Sequence, residues 1–133
     1  MLSHSQNLEY PMNQPVDLPL PVGHYATLPN SGLRLHYLDE GTGPVVLWLH
    51  GSGPGASGFS NFKGNFPQFV AAGYRNIVLD LPGFGRSDKP EDVQYHLDFF
   101  VDCVSAFLEA IGVRRCTLLG NSLGGAIALG LAL

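Results

Sequence analysis

The sequence predicts an α/β domain: a mostly parallel sheet with helices on both faces, truncated after the helix that follows its last strand. Three observations carry this. Val45-Val46-Leu47-Trp48-Leu49, Asn76-Ile77-Val78-Leu79 and Cys116-Thr117-Leu118-Leu119 are short apolar runs without alternation, the pattern of strands buried on both faces of a parallel sheet. Helical patterns lie between them, and a strand–helix–strand order implies right-handed crossovers. A Gly-rich loop follows each run, at the carboxyl edge where open α/β sheets place their ligands.

Along the chain, residues 1–21 read as a Pro-rich disordered tail. Pro11, Pro15, Pro19 and Pro21 break any helix or central strand, and few apolar residues could order the segment. Residues 22–133 read as one unit, the first part of a core domain. It opens with a hairpin: His24 to Leu28, turn chemistry at Pro29-Asn30-Ser31-Gly32, then Leu33 to Leu38 alternating with period two, as in a strand with one wet face. After the first buried run, Phe59, Phe62, Phe66, Phe69 and Val70 recur at helical spacing, with Gly64 and Pro67 splitting the segment into two pieces. Leu97, Phe100, Val101, Val104, Phe107, Leu108 and Ile111 form one helical stripe. Asp98 and Asp102 favour its start and Gly112 its end. Leu123 to Leu133 reads as a helix apolar all round, which must be buried against something.

Composition excludes several classes of function. Charged residues are 14% of the chain and the net charge is −4, so the two Lys and five Arg make no basic face for nucleic acid. No run of about 18 apolar residues suggests a membrane span, and Met1-Leu2-Ser3-His4 lacks the features of a signal peptide. Cys103 and Cys116 sit in apolar segments and read as buried free thiols of a cytosolic protein. The expected partner is a small-molecule substrate, without cofactor or metal; a homo-oligomer is compatible with this composition.

The chemistry lies in the three loops. Gly120-Asn121-Ser122-Leu123-Gly124 is a Gly-x-Ser-x-Gly between a buried strand and a helix. This is the pattern of a nucleophile elbow, a sharp turn that leaves Ser122 strained and its hydroxyl exposed. Gly120 and Gly124 are expected because a Cβ there would strike neighbouring elements. The helix start behind Ser122 offers amides and a positive dipole end to a developing oxyanion. One donor is then the amide of Leu123. The other comes from His50-Gly51-Ser52-Gly53-Pro54-Gly55, at Ser52 or Gly53. His50 precedes the nucleophile and is expected to brace this loop. Asp80, before Leu81-Pro82-Gly83, is expected to brace its own turn, and Arg86, Asp88 and Lys89 to form a solvated or ion-paired turn.

These residues also carry a resemblance. His50 to Gly58, followed by Asn61 and by Gly120-Asn121-Ser122-Leu123-Gly124-Gly125, resembles the meta-cleavage product hydrolases, carbon–carbon bond hydrolases of aromatic degradation that act on 2-hydroxy-6-oxo-dienoates. Asp80-Leu81-Pro82-Gly83-Phe84-Gly85-Arg86-Ser87-Asp88 is similar to a hallmark of the wider α/β-hydrolase superfamily. The resemblance covers residues 24–133 and departs at Leu123, where that family often has Met. It implies Ser122 as the catalytic residue, the Ser52 and Leu123 amides as oxyanion hole, and Asn61 and Asn121 as polar groups near the substrate. For both Asn residues local loop bracing is the other reading. In such hydrolases an Asp or Glu and then a His follow the Ser. Leu123 to Leu133 contains neither, so the chain is expected to be the amino-terminal part of the enzyme, lacking its later half and cap, and silent by itself.

Other readings remain at this stage. The substrate could be an ester or amide, as for a carboxylesterase or aminopeptidase-like hydrolase. The chain could be a silent binding or structural module. Gly53-Pro54-Gly55-Ala56-Ser57-Gly58 also fits Gly-x-Gly-x-x-Gly with Asp80 downstream, the layout of a dinucleotide-binding domain. Against it, His50-Gly51-Ser52 separate the strand from the first Gly, and Ser122 is left unexplained.

Overall fold

A computed structural model describes residues 21–133. The expected tail lies outside the described residues, Pro21 excepted. Five strands, β1 (His24–Thr27), β2 (Arg34–Glu40), β3 (Val45–Leu49), β4 (Arg75–Leu79) and β5 (Thr117–Gly120), form one sheet in the order β1-β2-β4-β3-β5. The helices are α1 (Gly58–Phe62), α2 (Phe66–Ala71), α3 (Leu97–Ala110) and α4 (Leu123–Ala132).

The three apolar runs are the parallel part of the sheet: β3 pairs in parallel with β4 and with β5. The hairpin adds an antiparallel part, β1 on β2 and β2 on β4. The sheet is therefore mixed. Side-chain alternation divides its core. Leu47, Leu49, Ile77 and Leu79 point to one face and pack with Phe100, Val104 and Phe107 of α3 and Ile127 of α4. Val46, Trp48 and Val78 point to the other and pack with Phe62 of α1 and Phe66 of α2. Helices thus cover both faces.

Local chemistry sets the helix ends. Ser57 and Ser60 close a capping box at the start of α1. Pro67 lies in the first turn of α2, where its missing N–H costs nothing. His96 caps α3, its ring accepting from the Phe99 amide at 3.2 Å. Gly112 adopts φ +74 just past α3, and the Val113 and Gly112 amides bond back to Leu108 and Glu109 in a Schellman motif.

Three expectations fail. β2 has no wet face: His36 is buried because its ring pairs with Asp80 on one side and packs against Gly23 on the other. β5 is not buried on both faces. It is an outer strand whose residues are exposed or half-buried, because nothing among the described residues pairs its far edge. Leu97, placed in the α3 stripe, is also exposed. Among the described residues no helix is long and apolar enough to cross a membrane. Cys103 and Cys116 are free; Cys103 is buried and Cys116 half-buried, and burial pushes the Cys103 thiol up to about 11.

An open apolar edge is a template for pairing, and Leu129 and Leu133 of the last helical segment face solvent. The 133-residue chain by itself is therefore expected to self-associate. Size-exclusion chromatography should show species larger than 14.3 kDa. A monodisperse, cooperatively melting monomer would contradict this.

Candidate active site

β3 and β5 are neighbours, yet the chain leaves β3 toward the α1/α2 face and leaves β5 toward the α3/α4 face. This is a topological switch point, and it opens a crevice at the carboxyl ends of the two strands. Both loops singled out in the sequence meet there.

At the end of β5, Ser122 has φ +56 and ψ −114, and it is the sole non-glycine with positive φ among the described residues. Such a backbone costs about 1–3 kcal/mol and persists only where the surroundings impose it. Two glycines allow it. A Cβ on Gly124 would strike the Leu49 carbonyl, and one on Gly120 would strike the Gly124 carbonyl. The turn is then closed by the Asn121 amide on the Leu49 carbonyl (3.0 Å) and the Gly124 amide on the Asn121 carbonyl (2.9 Å). Ser122 stands at the N-cap of α4, but its side chain makes no cap bond. The residue is exposed, and its hydroxyl makes no hydrogen bond among the described residues.

The β3 loop approaches from the other side. A Cβ on Gly51 would lie 3.5 Å from Ser122 Cβ. Asn61 Oδ1 accepts from the Gly51 amide (2.9 Å) and from Asn121 Nδ2 (3.2 Å), so one side chain ties loop, α1 and elbow together. The amides of Ser52, Gly53 and Leu123 have no backbone acceptor among the described residues. Two clefts flank the junction. One, of about 440 Å³, is lined by Ser52, Gly53, Asn61, Asn121 and Ser122. The other, of about 400 Å³, is lined by Ser52, Phe84, Tyr95, Phe100 and Leu123. A wider hollow of about 860 Å³ lies at the opposite end of β5, away from this chemistry.

Residues 44–133 match the family model described as alpha/beta hydrolase fold. The chain belongs to that family. A 2-hydroxy-6-oxo-6-phenylhexa-2,4-dienoate hydrolase of Burkholderia cepacia is 45% identical over 103 residues, 77% of this chain and 36% of the relative. A 2-hydroxy-6-oxononadienedioate/2-hydroxy-6-oxononatrienedioate hydrolase of Burkholderia vietnamiensis is 44% identical over 102 residues, 76% of this chain and 35% of the relative. The meta-cleavage product hydrolase CumD of Pseudomonas fluorescens superposes with a TM-score of 0.77 at 33% identity, over 84% of this chain and 40% of that one. The chain thus spans little more than a third of the length of these curated relatives.

In this α/β-hydrolase chain, His50 braces its loop, as expected. It is fully buried, its Nδ1 lies 2.6 Å from the Gly51 carbonyl, and its Nε2 accepts from the Leu81 amide at 3.0 Å. Those bonds require the neutral ring with its proton on Nδ1. Asp80 does more than brace a turn. Its carboxylate accepts from the Gly58 amide (2.8 Å), the Arg86 amide (3.0 Å) and His36 Nδ1 (2.9 Å). Asp80 is buried and all three of its donors are groups of this chain, so its carboxylate is not presented to a ribose, which removes the basis of the dinucleotide reading. Around it, Asp88 accepts from the Arg34 amide and Lys89 donates to the Gly85 carbonyl, so this turn is bonded to the backbone rather than merely solvated. The His36–Asp80 pair was not visible in sequence, since its partners lie 44 residues apart and neither belongs to a motif that names the other.

Burial lowers the His50 pKa from its ordinary 6.5, against smaller opposing effects of the Gly51 carbonyl and the Asp80 charge. The unfolded ring therefore gains its proton at higher pH than the folded one. The stability His50 contributes is complete above about 6.5 and is lost as pH falls toward the depressed folded value. Between pH 7.5 and 5.5 the wild type should lose more denaturant stability than the non-titrating His50→Asn variant. Equal losses in paired denaturation curves would rule out this titration.

Proposed function

We propose that Ser122 is the nucleophile of a serine-type hydrolase, with the amides of Leu123 and of Ser52 or Gly53 as its oxyanion hole. The observation that carries this is the strained backbone of Ser122, which presents an unbonded hydroxyl beside amides without backbone acceptors. Strain of this kind is kept where it serves a site. Preorganised amides stabilise the charge that develops when a carbonyl carbon becomes tetrahedral. Asn61 and Asn121 line the polar cleft and serve as substrate-facing groups as well as loop braces.

The proposed substrate class is a vinylogous 1,5-diketone, a meta-cleavage product, cleaved at a carbon–carbon bond by water. The water hydroxyl ends on the carbonyl carbon, giving an acid, and a proton ends on the departing carbon. The names of the curated relatives support this class. So does the pairing of a polar cleft with an aromatic one, which suits a molecule with an acidic and an apolar end. Among the described histidines, His24 lies on β1 at the sheet edge opposite β5, His36 and His50 are buried and bonded elsewhere, and His96 caps α3. No Asp, Glu or His follows Ser122 in the sequence. The general base and its acidic partner are thus proposed to come from outside these 133 residues. Alone, the chain keeps Ser122 protonated and weakly nucleophilic.

In the catalytically competent enzyme, Ser122→Ala should lower turnover of a dienoate chromophore by about 10⁴ to 10⁶. A loss below about tenfold would exclude Ser122 as the essential group. Turnover of a simple ester panel in place of the dienoate would shift the substrate class while leaving the site intact.

A side chain at Gly53 meets open space, so the fold tolerates one there. Gly53→Val should therefore lower turnover by roughly 10² with little change in melting temperature. Unchanged turnover with a lower melting temperature would make the loop structural only.

A further inference from the structure

The loop that carries Ser52 and Gly53 has two ends, and both are pinned to consecutive residues at the carboxyl end of β4. At the front, the Leu81 amide donates to His50 Nε2 at 3.0 Å. At the back, the Gly58 amide donates to Asp80 Oδ1 at 2.8 Å. Gly58 is the first residue of α1, and the same short helix carries Asn61, which holds the Gly51 amide and Asn121. Asp80 is 5% exposed, and its other oxygen accepts from His36 of β2 and from the Arg86 amide. The Ser87 hydroxyl donates to the Asp80 carbonyl at 2.5 Å. One carboxylate therefore gathers β2, α1 and the turn after β4 around the end of a central strand. Bonds to a charged acceptor are about twice as strong as neutral ones. Gly58 fits against it because a Cβ there would lie 2.7 Å from Val78 Cγ1 and 2.8 Å from the Leu79 carbonyl.

We infer that Asp80 is a positioning residue for the oxyanion donors: through Gly58 and α1 it sets where the Ser52 and Gly53 amides stand relative to Ser122. This rests on the proposed role of those amides. Asp80 touches neither cleft beside Ser122. Its effect is transmitted by the backbone of the loop, whose other hydrogen bonds run to His50, to α1 or within the loop itself. Asp80→Asn keeps the size of the side chain but places an amino group where only acceptors fit. Gly58→Ala leaves Asp80 untouched and pushes α1 off it.

Hydrogen exchange read by mass spectrometry tests the link without catalysis. Both variants should exchange the bonded amides of the 51–57 loop, Gly51, Ala56 and Ser57, at least about fivefold faster than wild type while β3 and β4 keep their protection. Asp80→Asn should also loosen residues 82–88, and Gly58→Ala should not. In the competent enzyme, Asp80→Asn should lower kcat about tenfold with KM within about twofold, the signature of a group acting on the transition state alone. Arg75→Gln, which breaks the Arg75–Asp39 pair at the opposite end of β4, serves as the control and should leave both readouts unchanged. Unchanged loop exchange in both variants overturns the inference, as does a kcat no lower than that of Arg75→Gln. If Asp80→Asn fails to fold, Gly58→Ala decides alone. The exchange readout is independent of Ser122→Ala, so failure of the link and failure of the serine reading remain separate results.

Discussion

How closely the last helix can approach the central strand decides the rest of the carboxyl edge. At Gly124 the backbone of α4 lies against the Leu49 carbonyl so tightly that no Cβ fits between them. That approach leaves the preceding residues only a sharp turn in which to leave β5. Ser122 takes up the bend at φ +56. The same contact brings the end of β3 beside the start of α4, so the loop leaving β3 faces the elbow without any long connection. Any side chain at Gly124 would open the junction and relax the strain that exposes the hydroxyl.

The strain is held by a rigid base. Leu47, Leu49, Ile77 and Leu79 are fully buried on one face, and Val46, Trp48 and Val78 nearly so on the other. Full burial of such side chains contributes about 1.5–3 kcal/mol each. A few of them outweigh one residue in a poor backbone region. Most polar groups inside this base are matched, His36 Nε2 being the buried side-chain atom left without a hydrogen-bond partner among the described residues. Asn76 accepts from Trp48 Nε1 and donates to the Tyr74 carbonyl, and Ser87 bridges the Asp80 carbonyl and the His36 amide.

Much of this was legible from local pattern. Val45–Leu49 matches its apolar run residue for residue, and α3 ends just before the glycine that marked its stop. Gly64 and Pro67 marked the break between α1 and α2. The elbow was legible because its glycines are dictated by contacts that any chain making this turn must satisfy. What escaped depends on residues far apart in sequence. The alternation of β2 suggested a wet face, but a histidine reads as polar until its buried partner, Asp80, is known. β5 read as central because its composition is apolar, and composition carries no record of whether a neighbouring strand lies on each side. The bracing roles of His50 and Asp80 were anticipated, but their convergence on one loop follows only from β4 lying beside β3.

Trp48 is the chain's single tryptophan, and its place gives it a diagnostic use. The indole lies on the α1/α2 face, edge-on to Phe69 and tilted against Phe62, with ring centroids 5.1 Å away in both cases. Its N–H is held by Asn76 at 2.9 Å. Emission from this one ring therefore reports on the layer that carries the loop and is blind to the layer beneath α3 and α4. Far-ultraviolet dichroism is weighted the other way, toward the two longest helices. Tracked together, the two optical signals divide the molecule along the plane of its sheet, and a gap between their transitions would measure how independently its two halves hold together.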